Sequence, residues 1–240
     1  MTVLLLKLAG PMQSWGASSR FVRRATESSP TKSGVIGLLA AAQGRRRTDK
    51  IEDLLQLSLG VRLDQPGRVV RDFQTAIPAV GKPLPLSDRF YLSDAAFLAV
   101  LEADRALLER LDDALRNPTF PLYLGRRSCP PVGPVTLGLR DGTIVDALEA
   151  EPWLAARWYR SKIRSSSPVR LRTVVDCEPA EADETIRDEP LSFDPQRREY
   201  GWRSVRHGTV GVLHPDAAAG GADHHDPMTG LEGDDVSDAV

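Results

Sequence analysis

Residues 31–44 read TKSGVIGLLAAAQG, and this stretch predicts the first helix of the fold. Thr31 or Ser33 is expected to cap it, because a hydroxyl oxygen can accept a hydrogen bond from a free N–H group of the first turn. The following residues are apolar as far as Gly44, which is a typical end of a helix. Before it, the run VLLLKL at residues 3–8 predicts a buried strand, so the chain begins with a strand and then a helix.

Further strands and a second helix follow in a recognisable order. Apolar patterning predicts strands at 59–63, 95–101 and 135–139, with an amphipathic helix at 104–116. The resulting order, β-α-β-β-α-β, is the split βαβ arrangement. The expected fold class is therefore α+β, with a ferredoxin-like (RRM-like) domain over residues 1–140.

An insertion and a C-terminal extension depart from this order. Residues 64–93 contain four prolines, and proline disrupts helices, so an inserted β-hairpin thumb is expected there. Residues 141–215 are expected to form a smaller C-terminal portion, with strands at 169–175 and 209–213. Residues 216–240 are rich in Ala, Gly and Asp, which is typical of a disordered acidic tail.

The net charge of −2 hides an uneven distribution. Residues 216–240 hold seven acidic side chains and no Lys or Arg, so residues 1–215 carry a net charge of +5. The excess lies in residues 1–50, at +7, and in residues 120–172, at +5, whereas residues 173–199 carry −6. Basic segments of this kind favour a polyanionic partner.

Composition argues against several classes of protein. Apolar runs such as 3–6 and 35–42 are much shorter than the ~20 residues of a membrane helix. The first residues have no basic leader and are expected to form a strand, not a signal peptide. The two cysteines, Cys129 and Cys177, are too few for a disulfide scaffold or a multi-cysteine zinc site. A cytoplasmic protein without metal or cofactor is expected.

Three clusters of basic residues, two of them beside aromatic side chains, are candidates for RNA binding. Single-stranded RNA is bound by cations that meet phosphates and by flat side chains that stack on bases. One such cluster alone is more often a solvated surface, but three on a ferredoxin-like frame favour RNA. The clusters are Trp15, Arg20, Phe21, Arg23 and Arg24; Arg45, Arg46 and Arg47; and Tyr123, Arg126 and Arg127.

The start of the first helix is a separate candidate for binding an anion. Its free N–H groups and the helix dipole attract negative charge, and Lys32 adds a full positive charge. A nucleotide P-loop does not fit, because the two glycines that it needs are replaced by Thr31 and Thr26. Ordinary capping beside a solvated Lys32 is an equally open interpretation.

Catalysis is not expected, because residues 1–206 contain no histidine. Metal-free RNA cleavage commonly uses histidine as acid or base, since its pKa lies near neutrality. His224 and His225 are flanked by aspartates and could hold a metal, but a flexible acidic tail is the favoured interpretation. A metal-independent endoribonuclease that uses His207 or a tail histidine is the alternative function, and a protein-only scaffold is a third.

Three motifs together carry a resemblance to a known family. They are LAGPMQSWG at 8–16, PTKSGVIGLL at 30–39 and YLGRRSCP at 123–130. In order and spacing they resemble the signatures of the CasD family. These proteins are subunits of Cascade, the type I-E CRISPR surveillance complex, and belong to the RAMP superfamily.

The resemblance implies a non-catalytic, RNA-binding subunit of a ribonucleoprotein complex in antiviral defence. Such a subunit binds the 5′ handle of the guide crRNA and contacts the backbone and large subunits of Cascade. Target DNA is expected to be met only through the complex, and no membrane contact is expected. Related type I-C proteins cut RNA with a Tyr, Lys and His set, and no histidine in residues 1–206 matches that set.

The resemblance also implies individual site residues. Residues 31–34 would form a phosphate cradle, and residues 125–127 would form the glycine-containing loop of RAMP proteins. The thumb side chains expected to contact a neighbouring subunit are Arg71, Phe73 and Tyr91. With the arginines of the first basic cluster, the expected RNA-binding residues are Gln13, Trp15, Arg20, Arg23, Arg24, Thr31, Lys32, Ser33, Gly34, Gly125, Arg126 and Arg127.

Overall fold

Strands outnumber helices in the computed structural model, which describes residues 1–16, 23–75, 77, 81, 85–163 and 168–216. The strands are β1 (Thr2–Ala9), β2 (Met12–Gln13), β3 (Arg23–Arg24), β4 (Ser58–Gln65), β5 (Arg68–Gln74), β6 (Ser87–Ser93), β7 (Ala96–Glu102), β8 (Thr136–Asp141), β9 (Val169–Asp176), β10 (Glu184–Ser192) and β11 (Glu199–Val212). The helices are α1 (Lys32–Ala42), α2 (Arg105–Arg116), α3 (Ile144–Ala150) and α4 (Arg157–Arg160), with 3₁₀ turns at Glu52–Gln56 and Pro179–Glu181. The prediction of a mixed α and β fold is confirmed.

The main sheet is antiparallel and has seven strands in the order β10-β11-β9-β4-β7-β1-β8. Its central strands β1 and β7 pair from Val3 with Glu102 to Ala9 with Ala96. The C-terminal strands join through β9, whose residues 173–175 pair with residues 60–62 of β4. The C-terminal portion therefore extends the same sheet past β4.

Helices cover both faces of this sheet. Leu39 of α1 and Leu108 of α2 pack with Phe97 of β7 in the larger core. Ile144 and Leu148 of α3 pack in a second core on the opposite face. Alternate residues of β1 belong to each core, which explains why residues 3–6 form an unbroken apolar run. No helix of the described segments is long and apolar enough to cross a membrane.

A hairpin of β5 and β6 lies beside the main sheet. Its strands pair from Arg68 with Ser93 to Gln74 with Ser87. Strand β6 also pairs with β2 and β3, whereas β5 is exposed along most of its length. The predicted insertion at 64–93 thus contains two paired strands, although part of their connection lies outside the described residues.

A buried ion pair fixes the segment after α3 against β4. The Arg62 guanidinium is fully buried, and its Nε and Nη2 lie 2.7 and 2.9 Å from the Asp64 carboxylate oxygens. The same guanidinium donates to the carbonyls of Leu148 and Pro152 at 2.6 and 2.9 Å. The indole N–H of Trp153 donates to the Asp64 carbonyl at 2.8 Å. Because every buried charge here has several partners, the pair is compatible with the core.

One predicted strand is part of a longer strand, and some predicted residues lie outside the part of the chain that the structure describes. The strand expected at 209–213 is the end of the longer strand β11, which spans 14 residues. The acidic tail at 216–240 lies outside the described residues, apart from Asp216. Arg20 also lies outside them, as does the side chain of Arg23.

Candidate nucleic-acid interface

The three sequence motifs pack against one another. A Cβ at Gly34 would lie 2.7 Å from Cε3 of Trp15, so glycine lets the buried indole lie against α1. Gly125 has a φ of +83°, and a Cβ there would lie 1.7 Å from the Ser14 carbonyl oxygen. The Ser14 N–H donates to the Leu124 carbonyl at 3.1 Å. Glycine at 34 and 125 therefore allows the first motif to approach both of the others.

Gln13 holds Trp15 in this position. The Gln13 Oε1 atom accepts a hydrogen bond from the Trp15 indole N–H at 3.0 Å. Its amide nitrogen donates to the carbonyls of Leu8 and Ala95 at 3.2 and 2.7 Å. Both side chains are 0% exposed. They support the surface from beneath, and direct contact with RNA would require this packing to open.

The N-terminus of α1 is occupied by a carboxylate of the chain itself. Thr31 is the N-cap, and the backbone N–H of Lys32 donates to Asp188 Oδ2 at 2.8 Å. The Lys32 ammonium lies 3.2 Å from Asp176 and 3.0 Å from Glu189. The expected phosphate cradle therefore contains internal anions, supplied by the acidic segment at 173–199.

Arg203 completes this buried ion network. Its Nε and Nη2 atoms lie 2.5 and 3.0 Å from the Asp188 carboxylate, and it also pairs with Asp176. Burial alone would lower the pKa of Arg203, but the two carboxylates raise this pKa above its ordinary value. The Leu59 N–H donates to Asp176 at 3.0 Å. One network thus joins α1, β4, β9, β10 and β11.

An open cleft of about 2200 Å³ lies beside the network and carries a large excess of positive charge. Among the described residues that line it, ten are arginines and three are acidic. Arginine binds phosphate through two parallel N–H groups, so this surface suits a polyanion with phosphate oxygens. The arginines are Arg24, Arg45, Arg46, Arg47, Arg126, Arg127, Arg172, Arg187, Arg198 and Arg203, and the acidic residues are Glu27, Glu184 and Asp188.

Some of these arginines already form ion pairs or hydrogen bonds within the chain. Arg45 pairs with Asp53 and lowers the pKa of that carboxyl through a hydrogen bond. Arg126 donates to the carbonyls of Phe90 and Arg24 at 3.2 and 2.9 Å, and so ties the third motif to β6 and β3. These side chains shape the cleft and contribute less to its available charge.

Other cleft arginines are available to a ligand. Arg46, Arg47, Arg127 and Arg172 are exposed, and within the described ranges none of the four forms an ion pair. Positive charges without internal partners that line one cleft attract a polyanion. The four guanidinium groups therefore mark the part of the cleft where phosphates are expected.

The sequence patterns did not indicate the cleft arginines of β9, of β10 and of the connection between β10 and β11. Arg172 lies in the basic segment at 120–172, but no motif pointed to it. Arg187 and Arg198 lie in residues 173–199, and the net charge of −6 for this segment gave no indication of them. A cross-strand pattern would have found them only if the pairing of β10 with β11 had been known.

The expected subunit-contact side chains occupy different environments. Phe73 on β5 is 65% exposed, and Arg71 is exposed and pairs with Asp88 at 2.9 Å. Tyr91 is buried, with the Arg126 guanidinium carbon 4.7 Å from its ring centroid. Of these three residues, only Phe73 and Arg71 have exposed side chains.

Groups suited to catalysis are sparse in the cleft. The Nε2 atom of His207 lies 2.9 Å from Glu184 Oε2. Cys129 is fully buried, and burial raises the pKa of its thiol, which disfavours the reactive thiolate. Across the ranges that the structure describes, no three His, Cys, Asp or Glu side chains are grouped to hold a metal ion. The arrangement is better suited to binding an anion than to activating a nucleophile.

Comparison with known proteins agrees with the motifs. The family model described as CRISPR-associated protein (Cas5) matches residues 3–206. The chain is 35% identical over 156 residues to the CRISPR system Cascade subunit CasD of Escherichia coli (strain K12). The matched region covers 56% of this chain and 70% of that protein.

Two solved structures share the fold. A crystal structure of a Cas protein has a TM-score of 0.70 and 39% identity, over 88% of this chain and 96% of the other. A chain from a CRISPR RNA-guided surveillance complex has a TM-score of 0.74 and 34% identity, over 88% of this chain and 90% of the other. The resemblance carried by the three motifs is thereby confirmed, and the chain belongs to the Cas5 family of CRISPR-associated proteins, with CasD of Cascade among its relatives.

Proposed function

We propose that this protein is the subunit of a type I-E Cascade complex that binds the 5′ handle of the guide crRNA without cutting it. The observation that carries the proposal is the cleft, which is lined by exposed arginines and by residues of all three motifs. A single-stranded RNA end offers phosphates to these guanidinium groups, and its bases remain free to stack. CasD, a relative at 35% identity, is a Cascade subunit.

The architecture supports a ferredoxin-like unit with a thumb. In chain order β1, α1, β4, β7, α2 and β8 follow the split βαβ pattern, and the four strands lie in the order β4-β7-β1-β8. Both helices pack in the same core. The β5–β6 hairpin, inserted between β4 and β7, would be the thumb, and Phe73 and Arg71 would contact the adjacent backbone subunit. Contact with the large subunit and a cytoplasmic location follow from membership of the complex.

Affinity for RNA tests the proposal through the exposed arginines. In the purified full chain, Arg127→Ala and Arg172→Ala should each weaken binding of a single-stranded RNA that carries the repeat-derived handle. Each lost phosphate contact should also reduce the slope of log K against log salt by about 0.7. Arg110→Ala is the matched control, because Arg110 is exposed on α2 and does not line the cleft.

The same variants should be tested in cells that express the remaining subunits and the guide RNA. The double variant with Arg127→Ala and Arg172→Ala should load less RNA into the purified complex than Arg110→Ala does. Equal loading would contradict the proposal. Incubation of the wild-type chain with precursor crRNA in EDTA tests the alternative, since cleavage within the repeat would show an endoribonuclease, with His207 as the candidate base.

A further inference from the structure

Two aromatic side chains on the last strand of the sheet line the cleft. Trp202 is 64% exposed, and Tyr200 is partly exposed. Residues two positions apart on a strand point to the same side. Tyr200 and Trp202 therefore form a pair of flat surfaces on one side of β11.

Each ring has an arginine beside it. The guanidinium carbon of Arg187 lies 6.0 Å from the Trp202 ring centroid, and that of Arg198 lies 5.8 Å from the Tyr200 centroid. Both arginines are exposed and line the cleft. The surface thus combines flat apolar rings with positive charge within a few ångströms.

A β-bulge lies opposite Trp202 in the acidic segment. The pairing of β10 with β11 shifts between Ile186 and Glu189, so that Arg187 and Asp188 together lie opposite Trp202. A bulge changes the direction of neighbouring side chains. Asp188 is buried against Arg203 and the start of α1, whereas Arg187 is exposed near Trp202. These adjacent residues of opposite charge therefore lie in different environments, one buried and one exposed.

We propose that Trp202 and Tyr200 form a stacking site for unpaired bases of single-stranded RNA, with Arg187 and Arg198 binding the adjacent phosphates. Aromatic side chains next to cations are the usual means of binding unpaired nucleotides. The site is separate from the three motifs and lies on the β10–β11 wall of the cleft. It rests on the proposed function, because it assigns a second part of the same RNA-binding cleft.

A second tryptophan provides a matched control. Trp158 is 50% exposed, and the Lys162 ammonium lies 4.8 Å from its ring centroid, but Trp158 does not line the cleft. Trp202→Ala should weaken binding of a single-stranded RNA to the full chain by about 5- to 100-fold, the usual effect of losing one stacked base. Trp202→Phe should restore most of the affinity, and Trp158→Ala should leave it unchanged.

Salt dependence separates stacking from phosphate contact. Stacking releases no counterions, so the ratio of wild-type to Trp202→Ala affinity should stay nearly constant as salt rises. Arg172→Ala should instead change the salt slope. The same RNA annealed into a duplex should show no difference between wild type and Trp202→Ala, because its bases are already stacked on one another.

The outcomes distinguish this inference from the proposed function. Wild-type protein that binds no RNA would overturn both. Wild-type protein that binds RNA, with Trp202→Ala equal to Trp158→Ala, would overturn only the stacking site. If Trp202→Ala kept its RNA affinity but lost co-purification with other subunits, the aromatic pair would be a protein contact and the inference would be wrong.

Discussion

The backbone N–H of Lys32 donates a hydrogen bond to the carboxylate of Asp188, 2.8 Å away and 156 positions later in the chain. The start of α1 is therefore neutralised by a carboxylate from β10. Because Asp188 sits in the bulge beside Arg187, the same short segment supports the helix and the stacking surface. The C-terminal strands are thus part of the site, although the three motifs lie before them.

Asp188→Ala should lower the free energy of unfolding by about 3–5 kcal/mol, the usual cost of removing one partner from a buried ion pair. The change leaves Arg203 and the α1 N-terminus without this carboxylate. Urea denaturation followed by circular dichroism measures the effect. Glu178→Ala, an exposed change on the turn between β9 and β10, should stay within about 0.5 kcal/mol of wild type. Equal midpoints for the two variants would contradict the role given to Asp188.

Two glycines with positive φ separate backbone strain from close packing. Gly125 and Gly133 have φ of +83° and +78°; a Cβ at Gly125 would collide with the Ser14 carbonyl oxygen, whereas a Cβ at Gly133 would have nothing within 4 Å. Gly133→Ala should cost about 1–2 kcal/mol from the left-handed conformation alone. Gly125→Ala should cost clearly more and should also weaken RNA binding, because the loop must move away from the first motif. Thermal unfolding and RNA titration of both variants test this, and equal losses would show that packing at Gly125 is unimportant.

Adjacent arginines in the third motif should differ in their effects. Arg126 donates to the carbonyls of Phe90 and Arg24, so Arg126→Ala should lower stability by about 1.5–3 kcal/mol. Arg127 is exposed and without an ion pair among the described residues, so Arg127→Ala should change stability by less than about 0.5 kcal/mol. In RNA titrations, Arg127→Ala should reduce the slope of log K against log salt. An equal loss of stability in the Arg126→Ala and Arg127→Ala variants would contradict the different roles given to the two arginines.

Local patterns were sufficient to predict much of the fold. The apolar run of β1 and the leucine face of α2 require burial, and Thr31 has the hydroxyl that a helix start needs. These features depend on neighbouring residues, which sequence periodicity records. The pairing of β9 with β4 was not predictable in the same way, because it joins residues 60–62 to 173–175 and leaves no local signal.

The candidate site was predictable only in part. Lys32 was expected to meet an anion and does so, but the anions are Asp176 and Glu189 of the same chain. The net charge of residues 173–199 concealed Arg187, because its exposed guanidinium and the buried carboxylate of Asp188 lie in different environments although the two residues are adjacent. Gly125, in contrast, was singled out from its motif, and the structure gives the physical reason for glycine there, which is the close approach of the Ser14 carbonyl oxygen. Which charges neutralise one another depends on three-dimensional pairing.

Removal of residues 217–240 should strengthen RNA binding at low salt. The truncation removes six acidic side chains and changes the net charge from −2 to +4, while it keeps Asp216, which pairs with Arg160 at 2.9 Å. Because salt screens charges beyond about 8–10 Å at physiological ionic strength, the gain should disappear as salt rises. A full-length chain with the six acidic residues changed to Asn or Gln separates charge from length, and it should match the truncation. Equal affinity of all three proteins at about 50 mM salt, where the screening length is longer, would show that the acidic residues do not affect binding.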